Sequence, residues 1–400
     1  MRVGFDLRPA LFGRSGIARA AAELHAALRV RPGLTVLPWL AAARRPCVPE
    51  RAAGLPRVPL PGRLAAALAP FGFGAETLLG PLDVFQHTDL VFAPVRRAQQ
   101  VLLLHDVLFD GGHGWHAPGF VERVGPRLSR RLRRAALAIA PSARSAAQIR
   151  AWRGAPAGRT DDWLAVVPPG CDHVDPAPRR DDGARLAALL RRAGCPAPRD
   201  DEPAPLLVLL PGTREPRKNQ LAVLDAFLAL PENLPRGADG APARALLLFC
   251  GARGWGCTEL EARLAARATD PALAARVGVA EDPDDADWGV ALRTAALVVY
   301  PSFAEGFGFP VAEALRTGRA CLTSRETPMS DLGGAAVVAV DPADGAAMSA
   351  ALRALLAEPA RRAELAAAGP ARVAALTWAA AAAAVHGHYE RIAADARSPR

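Results

Sequence analysis

An α/β chain built of two parallel-sheet domains is what the sequence predicts, on three observations. Short apolar runs alternate with longer helical patterns along the whole chain, the rhythm of βαβ units. The runs are nearly continuous in apolar character, as strands covered on both faces are. They fall into two clusters separated by a stretch where proline and charge replace them, and 400 residues is the length of about two domains.

In chain order, the first cluster reads as strands at "RVGFDL", "DVFQH", "QVLLLHD", "LAIAPS" and "LAVVPPG". The second reads as "LLVLLPG", "ALLLFCG", "RVGVAE", "LVVYPS", "RACLTS" and "AAVVAV". The separating stretch runs from "PPGCDHVDP" to "PRDDEPAP" and carries one short helix near residues 183–193. It sets residues 1–172 as a first domain and 173–377 as a second. Thr377 is placed to cap a helix containing the alanine run 379–384 with Val385, Tyr389 and Ile392. Residues 378–400 therefore form a terminal helix that either packs locally or crosses back to the first domain.

A net charge of +9 suits nucleic acid, a membrane surface or an anionic small substrate. No basic run is interleaved with the aromatic residues that stack bases, which argues against nucleic acid. The densest basic stretch holds Arg123, Arg127, Arg130, Arg131, Arg133 and Arg134. It reads first as a solvated helix face, with a contact to anionic lipid as the alternative. The six cysteines show no CxxC pair or zinc spacing and read as reduced, buried thiols of a cytosolic protein. Asp6, Arg8 and Pro9 break the apolar core a signal peptide needs, and no uncharged apolar run of the roughly 18 residues that cross a bilayer follows. The expected location is the cytoplasm, with a peripheral contact at the inner membrane face as the alternative.

In open α/β sheets ligands bind beyond the carboxyl ends of the strands, so polar residues just after an apolar run are candidates. That filter selects Gly13 and Gly16 after the first strand, His105 and Asp106, the segment from Gly212 to Lys218, and the segment from Glu305 to Gly308. If the two sheets face each other, these positions meet at an interdomain cleft. In "AEGFGFPVAEALRTG", Gly306 and Gly308 let the backbone approach a ligand, and Pro310 suits a first helical turn. The helix N-terminus so formed favours an anion. Glu305 can reach toward a sugar, and Glu313, eight positions on, can accept from vicinal hydroxyls such as those of a ribose.

Lys218 is the only lysine in the chain, the other 48 of its 49 basic residues being arginine. That rarity partly reflects an arginine-rich composition. The position of Arg217 and Lys218 is more informative, because cations at a helix N-terminus oppose its dipole. A bound diphosphate would explain them, with arginine as a fork and lysine as a compact point charge. Asp285, Ala286 and Asp287 form a D-x-D, which binds metal in one class of sugar transferases where it ends an apolar strand. Here it precedes a helix, where capping accounts for it.

Together "GRSGIARAAAEL", "DVFQHTD", "LLLHDVLF", "AIAPSARSA", "VVPPGCD", "GTREPRKN", "YPSFAEGFGFPVAEALRTG" and the late "TW" resemble glycosyltransferase family 4, most closely its mannosyltransferase-like members. The resemblance implies a GT-B fold, two Rossmann-like domains facing across a cleft, and a retaining, metal-independent transfer from a nucleotide diphosphate sugar without a resident cofactor. It implies that Lys218 and Arg217 hold the donor diphosphate, that Glu305 contacts the donor sugar, and that the backbone of Gly306, Phe307 and Gly308 assists. Glu313 would bind the ribose, Gly16 would admit the phosphates, and His105 would touch the donor sugar with Asp106 beside it as a sugar or acceptor contact. Many relatives carry Gly-Arg where this chain has Gly212 and Thr213, so Arg214 and Arg217 both remain candidates to complete the diphosphate site. A hexose, mannose first, would pass from GDP-mannose or else a UDP-sugar to a glycan or lipid-linked saccharide. A nucleotide-sugar epimerase and a non-catalytic nucleotide-sugar sensor or scaffold are the alternatives.

Overall fold

The computed structural model describes residues 1–11, 15–41, 58, 60–107, 115, 119–153, 161–195, 205–231, 233–235 and 242–397. The chain forms two compact units, Met1–His173 with Leu376–Arg400, and Val174–Ala375.

In the first unit six parallel strands form a sheet in the order β2-β1-β3-β4-β5-β6. They are β1 (Arg2–Asp6), β2 (Thr35–Trp39), β3 (Val84–His87), β4 (Gln99–Leu103), β5 (Leu137–Ala140) and β6 (Leu164–Val166). Val3, Phe5, Phe85, Val101, Leu102 and Ile139 are buried, as a sheet covered on both faces requires. The sequence pattern missed β2. Pro38 lies inside it and cannot donate to a ladder, yet it is tolerated because β2 pairs only with β1 and forms the edge of this sheet.

In the second unit the order is β10-β9-β7-β11-β12-β13, parallel throughout, with β8 antiparallel against β9. These strands are β7 (Leu206–Pro211), β8 (Asn233–Pro235), β9 (Pro242–Cys250), β10 (Val277–Ala280), β11 (Leu297–Tyr300), β12 (Ala320–Ser324) and β13 (Val338–Val340). Every residue of β7 is buried, consistent with its central position. β8, three residues with a proline among them, carries no periodicity a sequence could reveal.

Strand order fixes where ligands can go. From β7 the chain winds through β9 and β10 to one side, and from β11 through β12 and β13 to the other. The loops leaving β7 and β11 therefore diverge from neighbouring strands, which opens a crevice at a topological switch point. The first unit has its own switch point between β1 and β3.

The chain returns to the first unit at Leu376, and the Trp378–Arg397 helix packs on the Gly16–Arg29 helix. Thr377 Oγ1 accepts from the Ala380 amide at 3.1 Å, capping it as its sequence suggests. Pro359–Arg397 has the length and apolar composition of a membrane span, which the sequence reading did not register. It consists of two helices, Pro359–Val373 and Trp378–Arg397, and the second buries Trp378, Ala382, Val385 and Tyr389 in the first unit. The basic stretch lies on the Phe120–Leu132 helix and the turn after it, with Leu128 and Leu132 inward and Arg123, Arg127, Arg130, Arg133 and Arg134 exposed. Arg131 instead turns in, donating to Gln100 Oε1 at 3.0 Å and lying over the Phe92 ring. Cys171, Cys195, Cys250, Cys257 and Cys321 are free thiols, and Cys47 lies outside the described residues. Burial pushes the thiols of Cys250 and Cys321 up to about 12.

The terminal helix is tied to β3 by the Tyr389 hydroxyl, which donates to Gln86 Oε1 at 2.8 Å with both residues fully buried. Tyr389→Phe leaves that oxygen unsatisfied and should destabilise the protein by about 1–3 kcal/mol, read from urea denaturation. An unchanged midpoint would mean that this bond does not anchor the helix.

Candidate functional site

The loop after β7 is shaped by three residues. Gly212 adopts φ +99°, a conformation that suits glycine, and its amide donates to Cys250 O at 3.0 Å. Pro216 opens a 3₁₀ turn, Pro216–Lys218, and Asn219 at φ 56° separates this turn from the Gln220–Leu228 helix. Arg217 and Lys218 thus lie in a tight turn ahead of the helix, rather than at its first residues as the sequence pattern suggested. The turn is bound to the loop after β11: Arg217 O accepts from the Phe303 amide at 2.8 Å and from Ser302 Oγ at 3.0 Å.

The two loops meet at Glu305. Its Oε1 accepts from Lys218 Nζ at 2.5 Å and from the Tyr300 hydroxyl at 2.8 Å, and Arg217 Nη1 lies 2.9 Å away. Lys218 Nζ also donates to the Tyr300 hydroxyl at 2.5 Å, so the phenol relays between ammonium and carboxylate. Glu215 closes the cluster, its Oε1 2.7 Å from Arg217 Nη2 and 3.6 Å from Lys218 Nζ. Burial pushes the Glu305 carboxyl up, but Arg217 and Lys218 outweigh it and hold the group at about 2. Burial and the Glu305 charge push the Tyr300 phenol well above its ordinary value, so it remains a donor. Two cations and two carboxylates stand here within reach of one another.

Gly306, Phe307 and Gly308 carry the chain from Glu305 to the Phe309–Arg316 helix. Gly308 is its N-cap at φ 89°, and a Cβ there would lie 2.2 Å from Met329 Cγ. Phe307 is buried and packs edge-on to Phe309. Glu313, 3% exposed, does not join the Glu305 cluster; its Oε2 accepts from Trp288 Nε1 at 3.1 Å.

Arg214 is committed elsewhere. Only 3% exposed, it gives Nε to Glu261 Oε1 at 2.6 Å, Nη2 to Glu281 Oε1 at 2.7 Å and Nη1 to Gly251 O at 3.2 Å. Of the two arginine candidates, Arg217 is the one beside Lys218. Thr213 is half-buried in the same loop, its Cγ2 2.8 Å from where a Cβ on Gly254 would sit. The D-x-D lies in the first turn of the Asp285–Thr294 helix, where Asp284 Oδ1 accepts from the Asp287 amide at 2.8 Å and Asp287 pairs with Arg192.

In the first unit, Asp6 at the end of β1 holds Arg8 through both carboxylate oxygens, at 2.8 and 2.7 Å. Thr88 after β3 donates to Asp6 O at 2.6 Å, and His105 after β4 has Nε2 3.3 Å from Thr88 O. Burial lowers the His105 pKa against the opposing pull of Asp106 and Asp89, favouring the neutral ring. If Nε2 carries the proton toward Thr88, Nδ1 is the acceptor. Asp106 is half-buried next to it. Gly16 is the first residue of its helix, whose N-cap Ser15 accepts from the Ala18 amide at 3.3 Å, and Gly13 lies outside the described residues.

The strand-end filter selected the segments holding Arg217, Lys218 and Glu305, which the structure brings together, and Glu313 came from the helix after them; the pattern passed over Tyr300 and Trp288 and gave Glu215 no role. Tyr300 reads as a core aromatic at the end of an apolar strand. Its position beside the selected Glu305 loop was the one available signal.

The family model for glycosyl transferases group 1 matches residues 199–372. O-antigen chain mannosyltransferase B of Escherichia coli is 36% identical over 139 residues, 35% of this chain and 34% of that protein. The chain therefore matches about a third of the length of that curated relative. Among solved structures, sucrose-phosphate synthase from Thermosynechococcus elongatus superposes with a TM-score of 0.69 at 20% identity, over 99% of this chain and 100% of that one. HepE of Anabaena, in complex with UDP and glucose, gives 0.69 at 16% identity over 98% and 100%. An α,α-trehalose 6-phosphate synthase from Burkholderia multivorans gives 0.63 at 15% identity over 99% of each. The fold is GT-B, and residues 199–372 carry a glycosyl transferases group 1 domain.

The depressed pKa of Glu305 gives a signed expectation. Its stabilising effect is complete above the ordinary carboxyl value of 4.5 and is lost as pH falls toward about 2. Wild-type protein should exceed Glu305→Gln in stability at pH 7 by on the order of 2 kcal/mol, with the gap narrowing toward pH 3 in urea melts. A gap independent of pH would refute the ion cluster.

Proposed function

We propose that the protein is a retaining glycosyltransferase that moves a hexose from a nucleotide diphosphate sugar to a glycan or lipid-linked saccharide in polysaccharide biosynthesis. The observation that carries this reading is the pair Arg217 and Lys218, joined to Glu305 at the β7/β11 switch point inside the group 1 domain.

Transfer breaks the bond between the anomeric carbon and a diphosphate oxygen, forms one to an acceptor oxygen, and releases the acceptor's proton. Negative charge grows on the departing diphosphate. Lys218 supplies a point charge and Arg217 a planar fork to that charge, so the reaction needs no metal and no resident cofactor. Glu305, with Oε1 held by three donors, presents Oε2 to the hydroxyls of the sugar. The turn at Gly212 and Thr213 and the amides of Gly306, Phe307 and Gly308 line the donor, and Glu313 accepts from the ribose. For the first unit we propose His105 as a sugar contact, Asp106 as a sugar or acceptor contact, and Gly16 as a close approach for phosphate. The matched mannosyltransferase supports mannose, hence GDP-mannose, as the first donor; the UDP complex of HepE supports a UDP-sugar as the second. A cytoplasmic enzyme whose exposed arginine face on the Phe120–Leu132 helix meets an anionic inner membrane would reach a lipid-linked acceptor.

Thermal shift across GDP, UDP and ADP names the donor base by the largest stabilisation. With that donor, Lys218→Ala should lower turnover by roughly 10²–10³-fold while the fold persists, and Lys218→Arg should fall between the two. Full activity in Lys218→Ala would sink the diphosphate role. Release of epimerised sugar without any acceptor would identify an epimerase instead, and binding without turnover a sensor.

A further inference from the structure

The Trp288–Glu313 bond is unaccounted for by the donor site described above. Glu313 is a nearly buried carboxylate on the Phe309–Arg316 helix, and its Oε2 accepts from an indole donated by a different helix, Asp285–Thr294. Trp288 is half-buried, and its own helix is capped by Asp284. The choice of partner has a chemical consequence. An arginine there would neutralise the carboxylate and compete for its lone pairs, whereas an indole has one N–H and no charge. It orients Glu313 without adding a positive charge beside it.

We propose that Trp288 is a positioning residue for the nucleoside. Its N–H fixes the Glu313 carboxylate in the orientation that accepts from the 2′ and 3′ hydroxyls of the donor ribose. This rests on the reading of Glu313 as the ribose acceptor. Trp288 acts through Glu313 on donor affinity, and the diphosphate chemistry at Lys218 proceeds without it.

Calorimetric titration of wild type and Trp288→Phe with uridine diphosphate and guanosine diphosphate, each beside its 2′,3′-dideoxy counterpart, tests this. Phenylalanine keeps the ring and removes the N–H. The preference of wild type for the ribose form should shrink by about tenfold in Trp288→Phe, the size of a hydrogen bond to a charged group, while the dideoxy ligands bind both proteins alike. In turnover the donor KM should rise and kcat hold. Because the preference is a ratio measured within one preparation, partial misfolding does not move it. An unchanged ratio, whether neither ligand or both weaken, overturns the proposal while the donor-site reading stands. A wild type without ribose preference overturns the role of Glu313 and this proposal together, and one that binds neither diphosphate overturns the donor site itself.

Discussion

The carboxylate of Glu305 is the constraint on which the second unit's site depends. The loops leaving β7 and β11 diverge, and nothing in the parallel sheet itself holds their tips together. Beside the Phe303 and Ser302 bonds to Arg217 O, Glu305 Oε1 joins them through charge by collecting Lys218, Arg217 and the Tyr300 hydroxyl. Without it Glu215 alone would face two cations in a largely buried turn, where the Coulomb repulsion between them is several-fold stronger than in water. The same carboxylate that permits the cations to be buried keeps them where a diphosphate could meet them, so the structural and chemical roles cannot be separated by removing it.

Both sheets place their polar residues by one rule. In each, a reversal of strand order leaves two adjacent strands whose outgoing loops part, and each pair is bridged by short hydrogen bonds. Thr88 reaches Asp6 across β3 and β1, and Ser302 reaches Arg217 across β11 and β7. The acceptors are backbone carbonyls, which any residue supplies, but the donors are the Thr88 and Ser302 hydroxyls. Topology brings the paired loops together, and a hydroxyl residue just past β3 and β11 closes each bridge.

That division explains what the sequence disclosed. Eleven strands announced themselves because buried parallel strands are written as unbroken apolar runs, and most of the candidate residues followed because they come directly after such runs. β2 and β8 escaped because each includes proline and lies outside the apolar centre of its sheet, one at an edge and one paired antiparallel to β9. Tyr300 escaped because it is both the last residue of a buried strand and a site residue, and periodicity reports only the first. The Trp288–Glu313 bond joins residues 25 positions apart on two helices, a packing relation that no spacing rule encodes. Arg214 shows the converse: it sits inside the motif that drew attention, yet its guanidinium turns to Glu261 and Glu281 and joins the loops after β7 and β10 to the Thr258–Ala265 helix.

The case for lysine at position 218 rests on space and donor count. Nζ approaches the Tyr300 hydroxyl and Glu305 Oε1 each at 2.5 Å, while the Tyr300 ring lies alongside at 5.0 Å and the Glu215 oxygen at 3.6 Å is too far for a hydrogen bond. An ammonium carries three N–H donors in a compact head, and here it serves two acceptors that are themselves hydrogen-bonded. A guanidinium at the same place would spread its donors in a plane around a bulkier head group. A compact cation tethered by two neighbours is suited to one oxygen of a phosphate, and the planar fork of an arginine to two.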